Sequence, residues 1–273
     1  MARPALFIAL SALPACTGEI TALAALVFGV SFGAWIFGRD RQRRALLAAE
    51  SLRHAIASGS HRRIEADLRR ELALAAAGED ISPERRWLAR AQLGALLVAE
   101  WRLDEARALY ASDDAGLSPH LQALTAFGRH ELAVVAEVAD KARLAAIRAD
   151  RDRCLTFVPE PYKATVARAW GALEGLCMAR MGWAREAIPL LEPGLEAVEL
   201  NPARILYLFH LAQAYELLGD HENADINYHQ ASLAFPGTRL ASEARSRLRA
   251  LAAADEHVFR GMLPEAPAAS RAP

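Results

Sequence analysis

The sequence predicts an all-α protein. Alanine, the residue with the highest helix propensity, makes up about a fifth of the 273 residues, and β-branched residues are scarce. From Ala45 to about Ala254 the apolar residues recur with the 3.6-residue period of a helix. With 53 % apolar and 24 % charged residues, the composition is close to the globular average and excludes a mainly disordered chain.

The charge balance also excludes one class of function. The 32 Lys+Arg residues are matched by 33 Asp+Glu residues, so the net charge is -1 and no bulk positive potential for nucleic acid is present. The three cysteines are far apart and have no metal-ligand spacing, which predicts buried, reduced thiols. We therefore expect no nucleic-acid partner, no disulfide framework and no zinc site.

Residues 1–38 are predicted to form an N-terminal apolar segment and a transmembrane anchor. Ile20–Gly38 is nineteen residues without a charge, and as a helix it would span about 28 Å, which matches a bilayer core. Arg39–Arg44 follows with four arginines in six positions. By the positive-inside rule these arginines face the cytoplasm and meet anionic headgroups, which predicts a single-pass protein of the cell (inner) membrane with a cytoplasmic domain.

Two alternatives concern the same region. Residues 5–16 are apolar but too short to span a membrane, and they could act as a signal or as a lipoprotein segment with Cys16 lipidated, the rest of the chain then facing the periplasm. Within the anchor, Ala25, Gly29 and Gly33 recur every four residues and would allow a homodimer through the membrane helix. The simpler alternative is that small residues are common in such helices.

The remaining chain divides into three parts. Residues 39–81 are a juxtamembrane basic collar and a helical pair, with helices expected at 42–58 and 61–78, and their arginines alternate with acidic residues as on a salt-bridged surface. Residues 82–255 form the main helical domain, in which Ser82-Pro83, Ser118-Pro119 and Asn201-Pro202 predict helix starts. Residues 256–273 are an Ala/Pro-rich tail predicted to be disordered. Helices of the main domain are expected at 83–101, 103–112, 118–128, 130–149, 162–181, 184–199, 202–219, 221–235 and 238–254.

A helical hairpin repeat is clearest between Ile205 and Thr238. Its apolar and small residues occupy packing positions on two helices that are joined by a turn at Gly219, and Pro236 closes the unit. The packing residues are Leu208, Leu211, Ala212, Tyr215, Ala224, Tyr228 and Ala231. This unit resembles the tetratricopeptide repeat (TPR) family. Further hairpin turns align at Trp101–Ala106, Gly128–Ala133 and Gly182–Ala187, and Gly94 and Tyr110 match family positions in the first of these units.

The resemblance implies a superhelix of stacked hairpins with a concave groove for a partner. Family positions place nine residues in or beside that groove: Leu88, Ala91, Ala95, Val98, Leu176, Phe209, His210, Gln213 and Glu216. This lining is shallow and apolar and lacks the Lys and Asn with which TPR domains hold a chaperone's C-terminal carboxylate. An apolar or amphipathic helix or peptide suits it better. The alternative is that the alanines only reflect composition, or that self-association covers the surface.

Motifs for catalysis are absent from the sequence. It has no Gly-rich phosphate loop, no serine nucleophile motif and no Cys–His signature, and His221 and His229 form no metal-ligand set. The sequence thus predicts a membrane-anchored scaffold without catalysis, cofactor or metal. The alternatives are a periplasmic or lipid-anchored TPR assembly factor of the cell envelope, and an unrecognised helical enzyme with a deep pocket holding two ionisable residues.

Overall fold

The computed structural model describes residues 50–52, 54–111, 119–158 and 160–262, and within these ranges the chain is helical with no strand. The all-α fold class is therefore confirmed. Helical residues 50–52 and 54–57, called the 50–57 segment, precede ten helices. These are α1 (Arg62–Ala76), α2 (Pro83–Ala99), α3 (Leu103–Tyr110), α4 (Pro119–Ala136), α5 (Lys141–Phe157), α6 (Glu160–Arg180), α7 (Ala184–Ala197), α8 (Arg204–Leu217), α9 (His221–Ala234) and α10 (Arg239–Met262).

The helices form two layers. Each helix packs against the next one along the chain, and α2, α4, α6 and α8 also pack against one another. These four helices form an inner layer, whereas α3, α5, α7 and α9 lie outside it. The first and last inner helices, α2 and α8, are also in contact, so the inner layer closes on itself. Trp170 of α6 is fully buried at its centre, with its ring edge-to-face against Phe127 of α4 at 5.2 Å.

Five helix ends have the same backbone geometry, the two at Gly59 and Gly78 and the three aligned hairpin turns. Trp101, Gly182 and Gly219 have φ angles of 65°, 80° and 78°. In each turn this residue donates its N–H to a carbonyl three residues back, and the next residue donates to a carbonyl five residues back, which is a Schellman motif. Glycine adopts a positive φ without a steric penalty, whereas Trp101 pays roughly 1–2 kcal/mol. Its ring is held under the guanidinium of Arg239, 5.3 Å from the centroid.

The fourth aligned segment, Gly128–Ala133, was predicted to form a turn, and this prediction was wrong. Gly128 lies inside α4, which runs unbroken from Pro119 to Ala136, instead of ending a helix at 128. A Cβ atom on Gly128 would lie 2.6 Å from Tyr110 Oη, and one on Gly94 would lie 2.3 Å from the same oxygen. Gly128 is therefore needed where α4 approaches the Tyr110 ring. The break falls later, at 137–140, where Asp140 caps α5 by accepting the N–H of Arg143 at 2.7 Å.

Of the predicted helix caps, Ser82 is confirmed and Asn201 is wrong. Ser82 caps α2, its Oγ accepting the N–H of Arg85 at 3.3 Å, as expected. Asn201 does not cap α8, which begins at Arg204. Its Oδ1 instead accepts the N–H of Ala203 at 2.8 Å in a local turn, which leaves its amide group for another partner.

The N-terminal part of the described chain contacts α9. His61, just before α1, packs edge-to-face on Phe235 at the end of α9, with ring centroids 4.7 Å apart. Leu52 and Ile56 of the 50–57 segment are buried, and the same segment faces α9 across a cleft. The helical domain is therefore a closed ring of hairpins instead of an open array.

Within the described ranges, no helix is long and apolar enough to cross a membrane. The predicted anchor Ile20–Gly38, its small residues Ala25, Gly29 and Gly33, and the collar Arg39–Arg44 all lie outside those ranges and stay predictions. Residues 263–273 of the predicted tail also lie outside those ranges, whereas residues 256–262 belong to α10, so the predicted disorder was wrong for them.

Candidate functional site

The structure buries most of the residues predicted to line a concave groove. Val98 and Leu176 are fully buried, and Ala95 and Phe209 are 4 % exposed. The reason is the closed inner layer, in which α2, α4, α6 and α8 fill the space that an open superhelix would leave for a ligand. These four residues belong to the hydrophobic core, and the expectation of an open groove at their positions has to be corrected.

The polar residues of the predicted groove are bound within the chain. His210 is buried, and its Nδ1 lies 2.7 Å from Gln213 Oε1. Burial lowers the pKa of His210 to about 4, so its ring is neutral at pH 7. Glu216 accepts the Tyr228 hydroxyl at 2.5 Å and lies 3.4 Å from Arg247 of α10. Only Leu88 and Ala91 on α2, and Gln213 and Glu216 on α8, remain partly accessible.

The residues predicted to pack the hairpins lie at helix contacts. Ala187, Leu208, Ala212, Ala224, Tyr228 and Ala231 are all fully buried. Tyr110 and Tyr215 are 6 % and 8 % exposed, and Tyr215 donates its hydroxyl to Glu192 of α7. Gly94 contacts the Tyr110 ring, Gly182 and Gly219 make the turns, and Pro236 is half-buried after α9.

Glu131, which the sequence does not mark as a site residue, has a buried carboxyl group in the interior of the domain. Glu131 of α4 is 1 % exposed, and its Oε1 accepts the Tyr207 hydroxyl at 2.6 Å and the Asn201 amide at 3.0 Å. Burial raises the pKa of Glu131 to about 7, because both hydrogen bonds only partly offset the cost of desolvating its charge. The only sequence signal is an acidic residue at the start of the apolar run from Leu132 to Ala136.

A small cavity adjoins this carboxyl group. Glu131 and Asn201 line it with Arg90, Tyr110 and Trp87, whose indole N–H donates to Thr125 at 2.8 Å. Its volume of about 20 Å³ is that of one water molecule. Three ionisable groups, those of Glu131, Arg90 and Tyr110, thus share a pocket, and the enzyme alternative requires two, but the volume fits a water molecule and no larger substrate.

A larger cleft opens on the outside of the ring. It measures about 360 Å³ and lies where the 50–57 segment faces the α7–α8 connection and the end of α9. Leu233 is 58 % exposed at its edge, and Ile226, seven residues earlier on the same face of α9, is 47 % exposed. Asn201 lines both this cleft and the small cavity. The described residues that line it are His54, Ile56, Ala57, Glu199, Leu200, Asn201, Pro202, Arg204, Ile205, Gln230, Leu233 and Ala234.

The charged surface of the N-terminal helices is paired, as its alternating charges predict. Arg102 binds Glu65 at 2.7 Å, Glu100 at 2.8 Å and Glu105 at 2.7 Å, and Arg69 binds Glu65 at 2.8 Å. Hydrogen bonds from Arg102 and Arg69 lower the pKa of Glu105 to about 2. This network joins α1 to the α2–α3 turn and is structural.

The described part of the chain has no metal-ligand cluster, and its two cysteines are buried. No group of three or more His, Cys, Asp or Glu residues there could hold a metal ion. Cys154 and Cys177 are buried, and burial raises the pKa of their thiols to about 12 and about 11. Both side chains therefore stay protonated and unreactive at pH 7.

The comparisons with known proteins return nothing: no protein-family model, no curated protein and no solved structure matches the chain.

Proposed function

We propose that the chain is a TPR-like helical scaffold, anchored in a membrane by Ile20–Gly38, that binds an apolar or amphipathic segment of a partner protein and catalyses no reaction. The repeat interpretation is supported by the three turns at Trp101, Gly182 and Gly219, which share one backbone geometry and one pattern of hydrogen bonds. It is also supported by the small residues at which paired helices touch, such as Ala187 and Ala224.

The outer cleft, and not the concave side of the ring, is the proposed partner site. The observation that carries this choice is an open space of about 360 Å³, edged by an exposed Leu233 on a helix that also exposes Ile226. Exposed apolar side chains beside a cleft are typical of interaction surfaces. Because Glu199 and Gln230 give the cleft a polar rim, we propose that its ligand is an amphipathic helix with its apolar face toward Leu233.

Site-specific crosslinking tests this proposal. A photoreactive amino acid is placed at Leu233 in the full chain, with Val138 as the matched control, since Val138 is 86 % exposed but lies outside the cleft. We expect a discrete protein adduct from Leu233 and none from Val138, and we expect Ile226→Glu to abolish the adduct. Equal adducts from both positions, or none from Leu233, would contradict the proposal.

We also propose that the helical domain faces the cytoplasm. The argument is the charge asymmetry of Arg39–Arg44 around Ile20–Gly38. An alkaline phosphatase reporter fused after Pro273 should be inactive, because that enzyme is active only outside the cytoplasm. An active reporter would instead favour the periplasmic assembly factor, and removal of residues 1–38 should release the protein from the membrane in either case.

A further inference from the structure

One buried carboxyl group connects three parts of the ring. Glu131 belongs to α4, and its Oε1 is bound by Tyr207 of α8 and by Asn201 of the α7–α8 connection. Asn201 in turn holds the N–H of Ala203 at 2.8 Å, which fixes the turn that leads into α8. The position of the connection therefore depends on a hydrogen bond to Glu131.

This connection also forms a wall of the outer cleft. Asn201 lines the water-sized cavity beside Glu131 on one side and the cleft on the other. Pro202 and Ile205, its neighbours in the chain, also line the cleft. Any shift of the Asn201 side chain away from Glu131 therefore changes the shape of the cleft.

Glu131 accepts hydrogen bonds from two neutral groups, the Tyr207 phenol and the Asn201 amide. The phenols of Tyr110 (α3) and Tyr207 (α8) face it, and its charge and their burial together raise the pKa of both. Arg90 of α2 lines the adjoining cavity. Among the charged groups of the packed helices, Asp150 of α5 lies 2.9 Å from His130, and Glu174 of α6 is paired with Arg148 and Arg151. Arg129 of α4 donates to the Tyr110 carbonyl oxygen, and its charge partly offsets the rise in the pKa of Tyr110.

We propose that Glu131 is a proton-operated latch on the outer cleft. When it is neutral, Glu131 holds Asn201 and the α7–α8 connection against α4. When it is ionised, the buried charge draws water through the adjoining cavity, the connection loosens, and the cleft widens. The latch rests on the proposed function only in treating the cleft as the partner site. Since burial raises the pKa of Glu131 to about 7, the change falls within the physiological range.

Hydrogen exchange of the full chain tests the latch without any partner. Amide protection of residues 201–207 is followed between about pH 6 and about pH 8, after correction for the intrinsic exchange rate. We expect it to fall at least about tenfold across this range in the wild type. Glu131→Gln should abolish the pH dependence, because its side chain cannot ionise. Exchange of residues 201–207 should be nearly independent of low urea concentrations, as expected of a local opening, whereas amides that exchange only through global unfolding should speed up with urea.

A second variant covers the case in which Glu131→Gln does not fold. Tyr207→Phe removes a hydrogen bond that lowers the pKa of Glu131, so the midpoint of the exchange transition should move to higher pH. A flat wild-type profile, a pH dependence retained by Glu131→Gln, or a midpoint unmoved by Tyr207→Phe would each overturn the latch. Because no partner is present, these outcomes are independent of the crosslinking result at Leu233.

Discussion

The Tyr110 ring is clamped between two glycines, which makes Gly94→Ala a sharp test of the packing between α2, α3 and α4. A Cβ at residue 94 would lie 2.3 Å from Tyr110 Oη and 2.4 Å from its Cζ. The ring cannot retreat toward α4, because a Cβ at Gly128 would already lie 2.6 Å from the same oxygen, and the hydrogen atoms of Gly128 leave little room. Overpacking of this kind costs about 1–3 kcal/mol.

A matched glycine isolates the steric effect. Gly171 lies within α6, and a Cβ there would meet only Leu190 Cδ2, at 4.0 Å. Gly171→Ala should therefore gain about 1 kcal/mol of stability from helix propensity alone, whereas Gly94→Ala gains the same amount and loses more through the clash. We expect a net destabilisation of about 0–2 kcal/mol for Gly94→Ala, where Gly171→Ala stabilises.

The assay is urea unfolding followed by circular dichroism, in a double-mutant cycle with Tyr110→Leu. In the Tyr110→Leu background the clash is gone, so Gly94→Ala should become neutral or stabilising, with a coupling energy of at least about 1 kcal/mol. If Gly94→Ala and Gly171→Ala have equal effects, or if the cycle is additive, the clamp described here is refuted.

Three further predictions concern stability and reactivity. The pKa of Glu131 is raised to about 7 from an ordinary 4.5, so between these pH values the folded state binds a proton that the unfolded state has lost. The free energy of unfolding should therefore fall as pH rises through this window, by roughly 3 kcal/mol in total. Glu131→Gln should show no such loss in unfolding titrations. Gly219→Ala should cost about 1 kcal/mol in the same assay, since φ is +78° and no atom lies within 4 Å of the added Cβ, whereas Gly171→Ala should stabilise. Cys154 and Cys177 should react with a maleimide only after urea unfolding; fast labelling of either in the native protein would contradict their burial.

The hairpin turns show what a sequence can predict well. Gly182 and Gly219 lie between two helical patterns, and glycine adopts the positive φ of such a helix end without a steric penalty. The same alignment placed Trp101 at the equivalent position, and its φ of 65° agrees. Local backbone chemistry decides these features, so they can be predicted from a few neighbouring residues.

Gly128 shows the limit of that reasoning. Its neighbours resemble those of the other turns, yet it lies in the middle of α4 because the Tyr110 ring needs the space. Likewise, Asn201 precedes a proline as a helix cap would, but its amide group is bound to Glu131, 70 positions away in sequence. No local pattern contains either contact.

The sequence by itself determined the helical class, most helix positions, three hairpin turns and the residues on which hairpins pack, because these follow from propensity, periodicity and turn chemistry within about 35 residues. Only the tertiary structure decided that the array closes, with α2 in contact with α8 and His61 against Phe235. Closure converts Val98, Leu176 and Phe209 from groove residues into core, buries Glu131, and leaves the accessible cleft on the outside. Closure depends on small angles between successive helix pairs that add up along the chain, and those angles are set by packing between residues far apart in sequence.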